Sequence, residues 1–235
     1  MSDMHRPWLW VLAATSIGCG SVAGKAPDGG VDSAAGDAAV NRCAPGACLL
    51  SDEFNGTRLD DKLWKTSATG GATVTQANGV LSLHLPAAAN AAVDVYSLIG
   101  FSPGTTLEAR VTINANQFYD HKGIGFASAA IGSSCDLGET DAVMFRGQDN
   151  DGYIEIKSGG TPTCSMTTHN YPGGTSTLQI TRLADQVSFV QNTTTYGPIK
   201  ANVPTGLLPV RFSAYTFTIA PTLPVQIDID YVFVK

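Results

Sequence analysis

Residues 73–85 read TVTQANGVLSLHL, and this stretch decides the class of fold. Apolar and polar residues alternate on both sides of Asn78-Gly79, which is the period of a half-buried β-strand. Asn-Gly is a favoured two-residue connection between antiparallel strands, because both residues adopt positive φ values readily. The stretch therefore predicts a β-hairpin.

The same kind of pattern continues to the end of the chain. Short segments of strand-like composition follow one another, separated by Gly, Pro and Asn, and no helical period lies between them. The predicted strands are residues 93–98, 106–113, 123–127, 142–146, 153–157, 176–182, 186–191, 210–215 and 225–234. Regularly spaced short strands with this punctuation predict an all-β sandwich or barrel.

The N-terminal segment, residues 1–19, is typical of a targeting signal. Its apolar run at residues 8–14 is too short for a membrane-spanning helix, which needs about 20 apolar residues. Small residues precede Cys19, and this resembles the bacterial lipoprotein signal, in which the cysteine is acylated. We expect lipidation at Cys19 and an exported protein at the bacterial outer membrane or cell surface. Cleavage of an ordinary secretory peptide near Ala23, giving a secreted or periplasmic protein, is the alternative.

The composition separates a tether from a folded domain. Residues 20–47 are small or acidic and predict a flexible Ala/Gly/Asp-rich tether, followed by one domain over residues 48–235. The net charge is −6 and the sequence contains no Lys/Arg cluster, which argues against nucleic-acid binding through phosphate contacts. We expect a monomer that contacts the membrane only through its lipid anchor.

The remaining cysteines indicate disulfides. Apart from Cys19 the chain has Cys43, Cys48, Cys135 and Cys164, an even number in an exported protein. Three pairings are possible, and the Pro-Gly turn between Cys43 and Cys48 favours a local bridge, which leaves Cys135–Cys164. Zinc is the alternative, but the spacing lacks paired C-x-x-C motifs.

Three stretches carry a family resemblance. Residues 50–64 read LSDEFNGTRLDDKLW, residues 101–111 read FSPGTTLEARV, and residues 227–234 read IDIDYVFV. In this order they resemble concanavalin A-like lectin/glucanase domains, particularly laminarinase-type glycoside hydrolases, over about residues 48–235. The resemblance implies a jelly roll of two stacked, curved antiparallel sheets. It also implies that the first and last strands pair and that any ligand lies on the concave face.

The catalytic pattern of that group is incomplete in this chain. The enzymes carry E-x-D-x-x-E or E-x-D-x-E on one strand, with a nucleophile, a helper and a proton donor. Glu139 and Asp141 match the first two positions of both patterns. Met144 stands where the longer pattern has its second glutamate, and Val143 stands where the shorter pattern has it. A thioether cannot protonate a departing sugar oxygen, so the pattern predicts no complete catalytic site.

Three functions remain open at this point. The sequence favours a non-catalytic, surface-tethered module that binds a polysaccharide, another glycan or a cell-envelope component. The first alternative is a glycoside hydrolase that acts on a β-glucan-like polysaccharide through Glu139 and another acid. The second alternative is a structural or protein-interaction domain of the envelope.

Sugar recognition combines aromatic rings with planar polar side chains. The main candidates are Tyr119, His121, Arg146 and Tyr153. We also consider Gln148, Asp149, Asn150 and Tyr171. Trp64, which matches a packed position near the first strand, is not expected in the site.

No cofactor is required by these patterns, but structural calcium is an option. Domains of the resembling group often hold Ca²⁺ between the first and last strands, and Glu53 and Asp230 match that region. Hard cations such as calcium require several oxygen ligands at about 2.3–2.6 Å, and these two carboxylates are the candidates.

Overall fold

The computed structural model describes residues 43, 46–114, 119–132, 138–148, 151–165 and 174–235. These residues form fifteen strands, and the described part of the chain contains no helix. The strands are β1 (Leu50–Asp52), β2 (Trp64–Thr69), β3 (Thr73–Ala77), β4 (Val80–Leu85), β5 (Ala92–Phe101), β6 (Thr105–Ile113), β7 (Asp120–Ala127), β8 (Ala142–Gln148), β9 (Asp151–Ser158), β10 (Thr161–Ser165), β11 (Gly174–Arg182), β12 (Val187–Gln191), β13 (Thr194–Ile199), β14 (Leu208–Thr216) and β15 (Val225–Val234).

The strands form two antiparallel sheets. The first sheet has the order β13-β12-β11-β6-β15-β4-β3, with β1 also paired to β15, and the second has the order β10-β9-β8-β7-β14-β5-β2. One hydrophobic core joins alternate side chains of both sheets, for example Val111 of the first sheet and Phe212 of the second. The all-β sandwich predicted from the alternation is therefore confirmed.

Local sequence signals explain the register of the strands. Asn78 and Gly79 have φ values of 54° and 76°, as a type I′ turn between β3 and β4 requires. Leu50 pairs with Val234, so the first and last strands are neighbours as the family resemblance implies.

All of the predicted strands are present, but four strands were missed. β2 and β13 expose most of their residues, so they lack an apolar alternation, and β1 and β10 span only 3 and 5 residues. A strand that is short or mostly exposed leaves little periodicity for a sequence to reveal.

Trp64 ties the opening segment to the core, as expected from its sequence position. Its ring lies 6.1 Å from Phe54 and 6.0 Å from Phe212, and its indole nitrogen donates a hydrogen bond to Asp52 Oδ2 at 2.8 Å. Burial of the indole N–H with a carboxylate acceptor avoids an unsatisfied donor. This tryptophan is therefore a core residue and is not available for stacking on a ligand.

The disulfide Cys43–Cys48 is present, with a Cα–Cα distance of 5.7 Å. The half-buried Cys48 packs with Cys43 against Tyr231 and Phe233 of β15. The predicted Cys135–Cys164 bridge lies outside the described residues and stays a prediction.

In the part of the chain that the structure describes, no helix is long and apolar enough to cross a membrane.

Candidate functional site

The strand register builds a row of side chains across the second sheet, on the face that points away from the core. We call this face the outer face. Asp94 and Ser213, in the middle of the row, are flanked in their own strands by core residues: Val93 and Val95 for Asp94, and Phe212 and Ala214 for Ser213. From β2 to β9 the row reads Ser67, Asp94, Ser213, Gly123, Arg146 and Tyr153.

Arg146 is the centre of a buried charge cluster on this face. Its Nη1 atom lies 2.9 Å from Glu139 Oε1 and 2.9 Å from Glu155 Oε2, and all three side chains are fully buried. Its Nη2 atom donates to the Gly132 carbonyl at 2.8 Å, and its guanidinium carbon lies 5.7 Å from the Tyr153 ring centre. Buried charges of this kind persist only when they are paired and hydrogen-bonded.

Residues 131–132, which we call the covering segment, lie over this part of the sheet. The Gly132 amide donates to Glu139 Oε2 at 3.2 Å, and Ile131 packs on Ala127, Ala142 and Met144. Two glycines permit the approach. A Cβ on Gly123 would lie 2.6 Å from Ile131 Cγ2, and a Cβ on Gly138 would lie 2.4 Å from the Gly132 nitrogen.

Burial shifts the pKa values of two groups on this side of the sheet, Glu155 and His121. It raises the pKa of Glu155 from 4.5 to about 8; Arg146 opposes this shift, and the neighbouring Glu139 carboxylate adds to it. Burial also lowers the pKa of His121 to about 3, and the positive charges of Arg146 and Lys122 lower it further. At neutral pH we therefore expect a protonated Glu155 and an uncharged His121.

The two carboxylates of the incomplete catalytic motif have separate partners. Glu139 is held by Arg146 and the Gly132 amide, whereas Asp141 Oδ1 accepts a hydrogen bond from the Gly159 amide at 3.0 Å. Met144, at the position of the missing acid, is fully buried. Its Cα partner in β9 is Glu155, so a carboxyl group is placed directly opposite the methionine.

The predicted ligand-binding residues differ in exposure. Tyr119 is 40% exposed, whereas His121, Arg146 and Tyr153 are buried. The His121 ring stacks on Tyr215 with 4.8 Å between ring centres. Asp149, Asn150, Tyr171 and the side chain of Gln148 lie outside the described residues, so their role in binding stays a prediction.

The predicted calcium ligands each have a local partner. Asp230 pairs with Arg110 at 3.2 Å, and Glu53 accepts a hydrogen bond from Asn55 at 3.1 Å. Within the described ranges, no group of three or more His, Cys, Asp or Glu side chains is arranged to hold a metal ion. The structure therefore adds no acidic side chain to the two that the sequence suggests, and calcium stays a prediction.

A pocket of about 370 Å³ occupies the other half of the outer face. It is built by β2, β5, β14 and residues 130–131. Its lining residues are Ser67, Thr69, Asn90, Ala91, Ala92, Val93, Asp94, Ala130, Ile131, Ser213, Ala214, Tyr215 and Thr216.

Asp94 is the charged residue of the pocket lining. Its Oδ2 atom accepts a hydrogen bond from Arg211 Nη1 at 2.7 Å, and the Arg211 guanidinium lies 4.6 Å above the Tyr96 ring. Burial raises the pKa of Asp94, and Arg211 opposes this shift. The pair gives the pocket a fixed carboxylate in a partly dehydrated setting.

Sequence reasoning missed Glu155, Asp94 and Ser213 as site residues. Each lies in a predicted strand, and because successive side chains of a strand point to opposite faces, the sequence could predict that these side chains point away from the core. Their grouping was not readable, because it depends on which strands pair and in which register.

Comparisons with known proteins bear on the fold. No family model matches the chain, and no curated protein matches it. Solved structures do match. A β-1,3-glucanase of Mycobacterium marinum superposes with a TM-score of 0.60 at 16% identity, covering 82% of this chain and 100% of that one.

Two further matches have similar statistics. A structure described as an immunostimulatory antigen and pseudo-β-1,3-glucanase of Mycobacterium tuberculosis has a TM-score of 0.62 at 16% identity, covering 80% of this chain and 98% of that one. A family 16 glycosyl hydrolase protein of Mycobacterium smegmatis has a TM-score of 0.61 at 14% identity, with coverages of 80% and 100%. The predicted concanavalin A-like, glucanase-type jelly roll is confirmed as the fold.

The raised pKa of Glu155 predicts a pH-dependent stability. Between pH 4.5 and about pH 8 the folded protein holds a proton on Glu155 that the unfolded chain releases. This stabilising contribution is complete below pH 4.5 and is lost as the pH rises through about 8. We expect the free energy of unfolding of the wild type to fall between about pH 6 and about pH 9, by on the order of 1–3 kcal/mol.

Glu155→Gln provides the comparison, since an amide keeps the shape of a protonated carboxyl group and does not titrate. Urea unfolding should show a much smaller decrease of the free energy of unfolding with rising pH for this variant. The control Asp141→Asn, whose carboxylate is half-buried outside the cluster, should keep the wild-type dependence. Equal losses in the wild type and Glu155→Gln would contradict the assignment of the proton.

Proposed function

We propose that this domain binds a β-glucan-like polysaccharide on the outer face of its second sheet and does not hydrolyse it. The observation that carries the proposal is the position of Arg146. One nitrogen of its guanidinium bonds to both Glu139 and Glu155, inside a cluster that the covering segment closes.

Hydrolysis would need the space that Arg146 occupies. A retaining glycosidase places two carboxyl groups about 5–5.5 Å apart, with the scissile bond between them. Here a guanidinium nitrogen lies between Glu139 and Glu155. Both carboxyl groups are also buried, and Gly132 is hydrogen-bonded to Glu139 and Arg146, so a sugar cannot reach Glu139 without displacing the covering segment.

Binding is supported by the open half of the same face. The pocket beside the cluster combines apolar and polar lining residues, and small-molecule sites likewise pair apolar walls with placed polar groups. The fold is shared with one protein named as a β-1,3-glucanase and with one named as a pseudo-β-1,3-glucanase, and these names suggest the class of polysaccharide to try first.

A second candidate function is hydrolysis through Glu139 and Glu155, and one observation favours it. Glu155 lies opposite Met144 and has a raised pKa, so it offers the protonated carboxyl group that the sequence motif lacks. This function would require the covering segment to move away and Arg146 to leave the two carboxylates.

Incubation with a soluble β-1,3-glucan separates the two functions. We expect binding by affinity electrophoresis and no increase of reducing ends above a protein-free control. Release of sugar by the wild type that is abolished in both Glu139→Gln and Glu155→Gln would support hydrolysis and contradict the proposal. The control Asp185→Asn changes an exposed carboxylate between β11 and β12 of the first sheet, away from the cluster and the pocket, so it should not abolish such a release.

The proposed location is the bacterial cell surface, with the domain held by a lipid on Cys19. We expect the wild type to incorporate labelled palmitate and to fractionate with membranes when it is expressed in a bacterium. Cys19→Ser should lose the label and become soluble, whereas Cys135→Ser should keep the label. Membrane association of an unlabelled Cys19→Ser variant would contradict the lipid anchor.

A further inference from the structure

The polar row on the outer face borders the pocket on three strands and is then covered. Ser67, Asp94 and Ser213 are neighbours on β2, β5 and β14, and all three line the pocket. The next position of the row is Gly123, and Ile131 lies directly over it. Adjacent strands are about 4.8 Å apart, so the part of the row that borders the pocket extends over roughly 10 Å.

Ile131 therefore forms an end wall of the pocket. Beyond it the row continues with Arg146, which is buried beneath the Gly132 carbonyl. A long chain that lies across the strands can enter from the β2 edge, but it cannot pass the covering segment. The pocket fits the end of a chain better than an internal stretch.

The floor of the pocket carries unmet hydrogen-bonding groups. Asp94 is 8% exposed and Ser213 is 1% exposed. Asp94 Oδ1 and Ser213 Oγ have no hydrogen-bond partner among the described residues. An unsatisfied buried polar group costs about 1–3 kcal/mol, so groups from a ligand or a water molecule at this floor would be stabilising.

The chemistry of the lining selects a neutral, hydroxyl-bearing ring. A carboxylate oxygen accepts from a hydroxyl group, and a serine hydroxyl both donates and accepts. The negative charge of Asp94 disfavours an acidic sugar, because two like charges would share a partly dehydrated space. Tyr215 adds an aromatic side chain to the wall, and such rings pack against the apolar faces of sugars.

We propose that this pocket binds the terminal sugar of a neutral glycan chain, with Asp94 and Ser213 as the hydroxyl-binding groups and Ile131 as the wall that ends the site. The inference rests on the proposed function and adds to it a mode of recognition. The volume of about 370 Å³ is at the small end of the range of about 300–1,000 Å³ for small-molecule sites, as expected for one or two sugar rings.

Calorimetric titration with glucose and with β-1,3-linked glucose oligomers of increasing length tests the proposal. We expect affinity to rise over the first one or two units and then to stay constant within about threefold, because further units lie outside the pocket. Glucose in excess should displace the longest oligomer. An affinity that keeps rising with every added unit would overturn chain-end recognition.

Two substitutions test the named groups. Ser213→Ala removes the hydroxyl group and should weaken binding about three- to tenfold, and Asp94→Asn should weaken it tenfold or more. Ser188→Ala, on the first sheet, is the matched control. Thermal unfolding identifies any variant that has lost its fold, and Ser213→Ala keeps the Asp94–Arg211 pair.

The outcomes distinguish the two proposals. Undiminished binding by folded Ser213→Ala and Asp94→Asn would overturn the assignment of this pocket and would leave glucan binding intact. If glucose and every oligomer fail to bind the wild type, glucan binding itself is contradicted.

Discussion

The structure of the outer face of the second sheet depends on the ion pairs and hydrogen bonds of Arg146. A guanidinium that is withdrawn from water must be neutralised and hydrogen-bonded. Here Glu139 is the charged partner, and Glu155 and the Gly132 carbonyl accept further hydrogen bonds. The same contacts draw the covering segment onto the sheet. Removal of one partner of such a buried pair typically costs about 3–5 kcal/mol, so the arrangement has little freedom to open.

The covering segment that buries one half of the outer face also bounds the pocket on the other half. Ile131 lies over Gly123, where any larger side chain would collide with it, and it also forms one side of the pocket. The segment that seals the carboxylates is therefore the segment that bounds the candidate binding site. On a shared glucanase-type fold, this chain has a sealed cluster beside a short open pocket. That arrangement supports the proposal that the domain holds a sugar without cleaving it.

Most of the fold was predictable because alternation reports which face of a strand is buried. The β3–β4 hairpin followed from Asn78-Gly79, and the Cys43–Cys48 bridge followed from the turn between the cysteines. β2 and β13 were not predicted, because most of their residues are exposed and the alternation of apolar and polar residues is missing. The motif at residues 139–144 drew attention to the part of the sheet that holds the buried cluster, but it did not reveal Glu155. That residue joins the cluster only through the pairing of β8 with β9.

A crystal structure of the chain soaked with a short β-1,3-linked glucose oligomer tests the separation of binding from cleavage most directly. We expect an intact sugar in the pocket at Asp94 and Ser213, with Arg146 still bonded to Glu139 and Glu155. A sugar bound between those two carboxyl groups, with Arg146 and the covering segment displaced, would contradict a binding-only function.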